Sequence, residues 1–89
     1  MQFVWDESKR IANRKKHRLD FAVGWKVFAG PTFTFEDRRF EYAEQRFISM
    51  GLLDRQVVLI AHTEIAKEIR IISMRKANKN EQKIFFENL

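Results

Sequence analysis

Arg70 is the residue whose type and position point most directly to chemistry on an anion. It lies in the strand-like segment Glu68–Met74, where period-two alternation puts it on one face with Ile72 and Met74. A guanidinium group stays charged and is costly to bury without a partner. Two interpretations follow: Arg70 pairs with a carboxylate at a sheet edge, or it faces an anionic ligand.

Glu44 and Arg46 lie two residues apart, where an extended chain directs both side chains the same way. They form either a local ion pair or part of a phosphate site. Cleavage of RNA without a metal needs a base for the 2′-hydroxyl, cations for the charge on phosphorus and an acid for the leaving oxygen. Glu44 or a histidine can supply the base, and Arg46, Arg70 and Arg75 can supply the charge.

The chain has two histidines, and each has a structural and a catalytic interpretation. His17 follows Lys15 and Lys16 near a predicted helix end, where it can act as a general base or cap the helix. His62 follows the apolar run Val57–Ala61, and a hydrogen-bonded structural role is favoured over a catalytic one.

The net charge of +5 and the pI of about 9.9 favour an anionic partner such as nucleic acid. Six further cationic residues are candidates for binding RNA phosphates: Lys9, Arg14, Lys15, Lys16, Arg18 and Lys76. The basic helix that carries most of them can equally be a solvated face or contact an acidic partner.

Several classes of site and location are disfavoured by composition. The absence of cysteine excludes disulfides and thiolate metal sites, and we predict neither a metal site nor a cofactor. No apolar run approaches the roughly 20 residues that span a bilayer, and the start of the chain reaches charged residues early. We therefore expect a cytoplasmic protein without a membrane partner.

The patterning predicts an α+β fold in one domain, residues 1–89. A short strand is predicted at Gln2–Trp5, followed by a helix capped by Asp6 and a second helix capped by Asp20. Four strands follow in the order of an antiparallel meander: Thr32–Glu36, Arg46–Met50, Gln56–Glu64 and Glu68–Met74. A capping box at Asn78 then opens a C-terminal helix. The predicted architecture is two N-terminal helices, a central, mainly antiparallel sheet of about four strands, and a C-terminal helix.

Segments along nearly the whole chain resemble the BrnT family of toxins. They are Phe3-Val4-Trp5-Asp6 with Lys9, Asn13 and Lys16-His17, then Phe21 and Val27-Phe28, then Glu44-Gln45-Arg46-Phe47 with Gly51, then His62-Thr63-Glu64, and finally Ile69 through Ala77. The resemblance implies a RelE-like fold and a metal-independent endoribonuclease that inhibits translation. It also implies neutralisation by a BrnA-type antitoxin, with operator DNA bound through the complex for autoregulation.

The resemblance places six residues in the candidate catalytic site: His17, Glu44, Arg46, His62, Arg70 and Arg75. The sequence departs from the family in three places: Ala43 and Arg18 stand where glycine is expected, and Glu64-Ile65-Ala66 lacks the glycine common in that turn. The first two departures affect backbone freedom more than chemistry. The alternative function is a non-catalytic module that binds nucleic acid or the antitoxin.

Overall fold

The computed structural model describes residues 1–89 and contains a five-stranded sheet with helices on both faces. In chain order the elements are β1 Gln2–Trp5, α1 Glu7–His17, a short 3-10 helix Phe21–Val23, α2 Gly24–Ala29, β2 Thr32–Glu36, β3 Phe47–Leu53, β4 Gln56–Ile65, β5 Glu68–Lys76 and α3 Lys79–Glu87. The strand order across the sheet is β1-β5-β4-β3-β2.

The predicted α+β class is correct, but the predicted arrangement of two N-terminal helices with a sheet of about four strands is wrong. Strand β1 precedes α1 and joins the sheet as a fifth strand, parallel to β5, so the sheet is mixed. The four strands β2 to β5 do form the expected antiparallel meander. The parallel pair joins residues from opposite ends of the chain, and local periodicity carries no information on such a distant partner.

Helix α1 and helix α3 begin at the predicted caps. The Asp6 carboxylate accepts hydrogen bonds from the backbone N–H groups of Ser8 (2.9 Å) and Lys9 (3.3 Å). At α3, the Asn78 side chain accepts from the Glu81 N–H (2.8 Å), and the Glu81 carboxylate accepts from the Asn78 N–H (2.9 Å). These bonds satisfy backbone donors that have no partner inside a helix.

The two faces of the sheet bury separate apolar clusters. Beneath α1 and α2, the cluster includes Phe21, Ile60 and Ile71, and the opposite face, beneath α3, includes Leu59 and Phe85. Full burial of such a side chain contributes roughly 1.5 to 3 kcal/mol. The second cluster is smaller, so part of the sheet face beneath α3 lies outside the apolar core.

Strand β5 contains a β-bulge at Ile72. Ala61 of β4 lies opposite Ser73, whereas the next β4 residue, His62, lies opposite Ile71. Ile72 therefore has no residue opposite it. Such an extra residue commonly re-aims side chains beside functional sites.

The bulge changes which side chains share a face of β5. Alternation predicts Met74 on the same face as Arg70, and this is wrong, because Met74 is fully buried in the cluster beneath α1 and α2. Ser73 and Arg75 instead lie on the face that α3 partly covers, which is also the face of Arg70. One extra residue thus brings three polar side chains of β5 to one surface.

Asn13 of α1 takes the place of a strand partner along part of β5. Its side-chain amide donates to the Met74 carbonyl (3.0 Å) and to the Leu19 carbonyl (3.1 Å), and its oxygen accepts from the Met74 N–H (3.1 Å). Leaving a buried backbone group without a partner costs about 1 to 3 kcal/mol. Asn13 therefore fixes α1 against β5 beyond the end of β1.

Ala66, in the turn between β4 and β5, has a left-handed backbone with φ of 56°. We predict that Ala66→Gly raises the free energy of unfolding by up to about 1 kcal/mol, because glycine removes the Cβ strain of that conformation. Urea denaturation measures the change. The matched control is Ala12→Gly, at an exposed position inside α1, which should lower stability by about 1 kcal/mol. A destabilised Ala66→Gly variant would contradict the interpretation.

Candidate active site

A depression at one end of the exposed sheet face brings together several of the predicted residues. We call it the Arg70 depression, and it has a volume of about 180 Å³. It is lined by Lys9 of α1, by Thr63, Arg70 and Ile72 of β4 and β5, and by Tyr42, Ala43, Glu44 and Arg46 of the segment before β3. Arg70 lies opposite Thr63 in the ladder, so the floor is formed by paired strands.

The charged residues of this depression are not paired with one another. Neither Arg46 nor Arg70 takes part in an ion pair, and the Glu44 carboxylate and the Lys9 ammonium group are also free of one. The structure therefore forms neither the local Glu44–Arg46 pair nor a carboxylate partner for Arg70. Unpaired guanidinium groups at a concave surface are suited to binding phosphate.

Asp37 anchors the segment that carries Glu44 and Arg46. Its side chain is only 2% exposed and accepts hydrogen bonds from the Arg39 guanidinium (2.9 Å twice) and from the Tyr42 hydroxyl (3.0 Å). The Arg39 guanidinium, with help from Tyr42, holds the pKa of Asp37 well below its usual range. The carboxylate is thus charged, buried and fully engaged, and it fixes the path of residues 37–46.

Tyr42 connects this anchor to Arg46. The Arg46 guanidinium carbon lies 4.0 Å from the centre of the Tyr42 ring, a cation–π contact. In addition, the Asp37 N–H donates to the Arg46 carbonyl (2.7 Å). Arg46 is therefore held through both its backbone and its side chain at the rim of the depression.

A family model described as ribonuclease toxin, BrnT, of type II toxin-antitoxin system matches residues 5–81. The chain belongs to the BrnT family. It is therefore a ribonuclease toxin of a toxin-antitoxin system, with RNA as its substrate class and an antitoxin as its partner. All residues of the Arg70 depression lie inside the matched range. A search among curated proteins found no match.

His17 and His62 both lie outside the depression. His17 ends α1, eight residues after Lys9, which corresponds to about 12 Å along a helix axis. His62 is fully buried on the other face of the sheet, where its Nε2 atom hydrogen-bonds the Ser49 hydroxyl (2.8 Å) and Phe28 and Phe47 contact its ring. Neither imidazole is placed beside Arg70 in this BrnT structure.

Arg75 faces the same surface as Arg70 but is already paired. Its guanidinium donates two hydrogen bonds to the Glu81 carboxylate, at 2.8 and 2.7 Å. Because Glu81 also belongs to the capping box of α3, this pair ties α3 to β5. The structure thus gives Arg75 a partner that Arg46 and Arg70 lack.

Of the six candidate RNA-binding residues, only Lys9 lines the Arg70 depression. Arg14, Lys15 and Arg18 line a separate, wide hollow on α1 together with Arg10 and Ile11. Lys16 is exposed on the same helix, and Lys76 lies at the other end of β5, beside Phe86 of α3. The basic set is therefore spread over distinct surfaces.

Sequence reasoning missed Asp37, Tyr42 and Thr63 as residues of this region. Asp37 lies in a stretch with several acidic residues, where no local pattern indicates a buried carboxylate, and its burial depends on Arg39 folding back onto it. Tyr42 lies four residues before Arg46, but this spacing indicates a contact only inside a helix, and here both lie in a loop. Thr63 is recognisable only from its pairing with Arg70.

Two further features are general to the structure. No three side chains of histidine, aspartate or glutamate come together as a set that could hold a metal ion. None of the helices has the length and apolar character needed to cross a membrane.

His62 makes stability depend on pH in a predictable direction. Burial lowers its pKa to about 4, and its Nδ1 atom has no hydrogen-bond partner. In the unfolded chain the imidazole binds a proton below about pH 6.5. The buried neutral imidazole therefore makes its full contribution to the free energy of unfolding above that pH, and this contribution is lost as the pH falls towards 4. We predict a loss of about 3 kcal/mol over this interval, because each tenfold change in proton affinity corresponds to about 1.36 kcal/mol.

The measurement is urea denaturation of the wild type and of His62→Gln between pH 7 and about pH 4. Both proteins carry the same carboxylates, including Glu64, whose Oε1 atom lies 3.6 Å from the His62 Nδ1 atom, so the difference between their pH slopes reports the imidazole together with this contact. The variant should show the shallower slope, and equal slopes would refute the assignment.

Proposed function

We propose that the chain is a metal-independent endoribonuclease whose Arg70 depression holds the scissile phosphate. One observation carries the proposal: three cations without carboxylate partners, Lys9, Arg46 and Arg70, line one depression with one unpaired carboxylate, Glu44. This is the set of groups that attack by the 2′-hydroxyl requires. The family description supports the substrate class.

In the proposed reaction the 2′-oxygen attacks the adjacent phosphorus and the bond from phosphorus to the 5′-oxygen breaks. The Glu44 carboxylate takes the proton of the 2′-hydroxyl. Arg46 and Arg70 stabilise the extra negative charge on the phosphoryl oxygens. The Lys9 ammonium group gives a proton to the leaving 5′-oxygen. The products are a 2′,3′-cyclic phosphate and a 5′-hydroxyl.

Glu44 is preferred to His17 as the base because of position. Glu44 lines the depression with both arginines, whereas His17 lies at the far end of α1 from Lys9. A general base must reach the proton within hydrogen-bond distance or through one water. Residues at opposite ends of a helix of this length do not meet that condition at one phosphate.

The same proposal extends to the partners. A BrnA-type antitoxin inhibits by covering the cationic depression, since an acidic segment is attracted there and excludes RNA. The complex binds operator DNA through the antitoxin and represses its own promoter, and the toxin acts on RNA in the cytoplasm. The cationic surface of the free chain, with a net charge of +5, supports contact with an acidic segment.

We predict that Arg70→Ala lowers kcat for RNA cleavage by about 100-fold or more, because a charge-stabilising group is lost in the transition state. The measurement is cleavage of end-labelled RNA in excess chelator, with analysis of the new 3′ ends. Arg55→Ala removes the same charge at the exposed turn between β3 and β4 and should cleave like the wild type.

Two results would overturn the proposal. Cleavage by wild type only after a divalent metal is added would remove metal independence. Salt-sensitive RNA binding by the folded chain with no cleavage would favour the non-catalytic binding module instead.

A second prediction concerns Tyr42, which positions Arg46. Tyr42→Leu removes the ring beneath the guanidinium and should lower kcat about tenfold with little change in KM, the pattern expected for an interaction made in the transition state. Tyr42→Phe keeps the ring but loses the hydroxyl bond to Asp37, so it should retain most of the activity. A purely structural role is indicated if Tyr42→Leu lowers the melting temperature and leaves kcat unchanged.

A further inference from the structure

A second cleft lies on the same sheet face, between the segment after β2 and helix α3. We call it the α3 cleft; it has a volume of about 240 Å³. Its floor is formed by Ile48, Leu59, Ala61 and Ser73, and its sides by Phe35 to Arg39 and by Arg75 with Glu81. The proposed reaction at the Arg70 depression does not use this space.

The α3 cleft continues the Arg70 depression along the strands. Thr63 lies opposite Arg70 in the depression, and Ala61 lies opposite Ser73 on the cleft floor. Because of the bulge, Arg70 and Ser73 lie opposite Thr63 and Ala61, which are two residues apart on β4, or roughly 7 Å along a strand. The β5 bulge directs Ser73 to this face. A polymer bound at Arg70 can therefore extend into the cleft without leaving the sheet.

The charges of the two sites differ in kind. All six charged residues of the α3 cleft are used in three ion pairs: Arg38 with Glu36, Arg39 with Asp37, and Arg75 with Glu81. The depression, in contrast, contains three unpaired cations. A neutral cleft is a poor phosphate site, but the planes of guanidinium groups held edge-on by carboxylates can stack on a flat ring.

We propose that the α3 cleft binds a nucleobase of the RNA next to the phosphate held in the Arg70 depression. The apolar floor offers contact area for a ring, and the Ser73 hydroxyl can donate or accept one hydrogen bond with its edge. Arg39 and Arg75, which both line the cleft, flank the ring. This inference rests on the proposed function for its substrate class.

The test measures binding rather than cleavage, so that it is independent of catalysis. The probes are short RNA analogues, 2′-O-methylated throughout so that they are not cleaved. One analogue carries all its bases, and each of the others lacks one inner base. Fluorescence anisotropy with the wild-type chain should show about tenfold weaker binding for the analogue whose missing base belongs in the cleft.

Ser73→Leu places a larger side chain on the cleft floor and should abolish this difference in affinity. The complete analogue should then bind as weakly as the analogue that lacks the base belonging in the cleft. Ser73→Ala removes only the hydroxyl and should lose a smaller part of the difference, which keeps the test valid if the larger residue perturbs folding. Thr32→Leu, at an exposed position of β2 outside both sites, is the matched control and should bind like the wild type.

Other results overturn the inference. Equal binding of all analogues by the wild type, or an equal loss for every analogue in Ser73→Leu, excludes a base in the cleft. If equal binding is found together with a weaker antitoxin complex for Ser73→Leu, the cleft is an antitoxin contact. Cleavage of ordinary RNA in chelator, measured beside these experiments, reports separately on the proposed function.

Discussion

The backbone N–H and C=O groups of strand β5 need hydrogen-bond partners along both edges of the strand. The fold and the candidate site depend on which groups provide them. One edge pairs with β4, and the other is shared between β1 and the Asn13 side chain. Because a buried backbone group without a partner is costly, these three partners fix β5 and, through Asn13, fix α1 against it. Lys9 and Arg70 are brought to one depression by this arrangement, although they come from distant parts of the sequence.

The arginines of the sheet face divide into two groups by their partners. Arg39 and Arg75 are each held by a carboxylate, Asp37 or Glu81, that is mostly buried and also hydrogen-bonds other groups of its own segment. These pairs shape the chain: one fixes the segment before β3, and the other fixes α3. Arg46 and Arg70 are unpaired and open to a ligand, so structural and binding charges are kept apart within one basic surface. All four residues are arginines, so residue type does not separate the paired arginines from the unpaired ones. What separates them is whether a carboxylate lies close enough to pair with the guanidinium group.

Features set by neighbouring residues were predictable from the sequence. The caps at Asp6 and Asn78, the bounds of β2 and the order of the meander all follow from local pattern. The parallel partner of β1 and the bulge at Ile72 depend on distant strands, so periodicity could not give them. The same limit applies to the site. Arg70 was recognisable as a polar interruption of a strand, whereas the contact of Tyr42 with Arg46 depends on a loop folded around a buried carboxylate.

The segment that completes the depression is held mainly by polar contacts, since Phe40, one of its aromatic residues, is 67% exposed. The order of this segment therefore depends on the charge of Asp37. Because folding lowers the pKa of Asp37, its carboxylate stabilises the folded chain fully at any pH above the pKa that Asp37 has in the unfolded chain, and this stabilisation is removed only in strong acid. The stabilisation that the neutral His62 imidazole provides is lost at higher pH, between about pH 6.5 and 4, before Asp37 takes up a proton. Mild acid should thus weaken the whole fold through a buried imidazole on one face while the segment at the other face keeps its anchor. Global stability and the geometry of the depression are therefore controlled by different groups, on opposite sides of the same sheet.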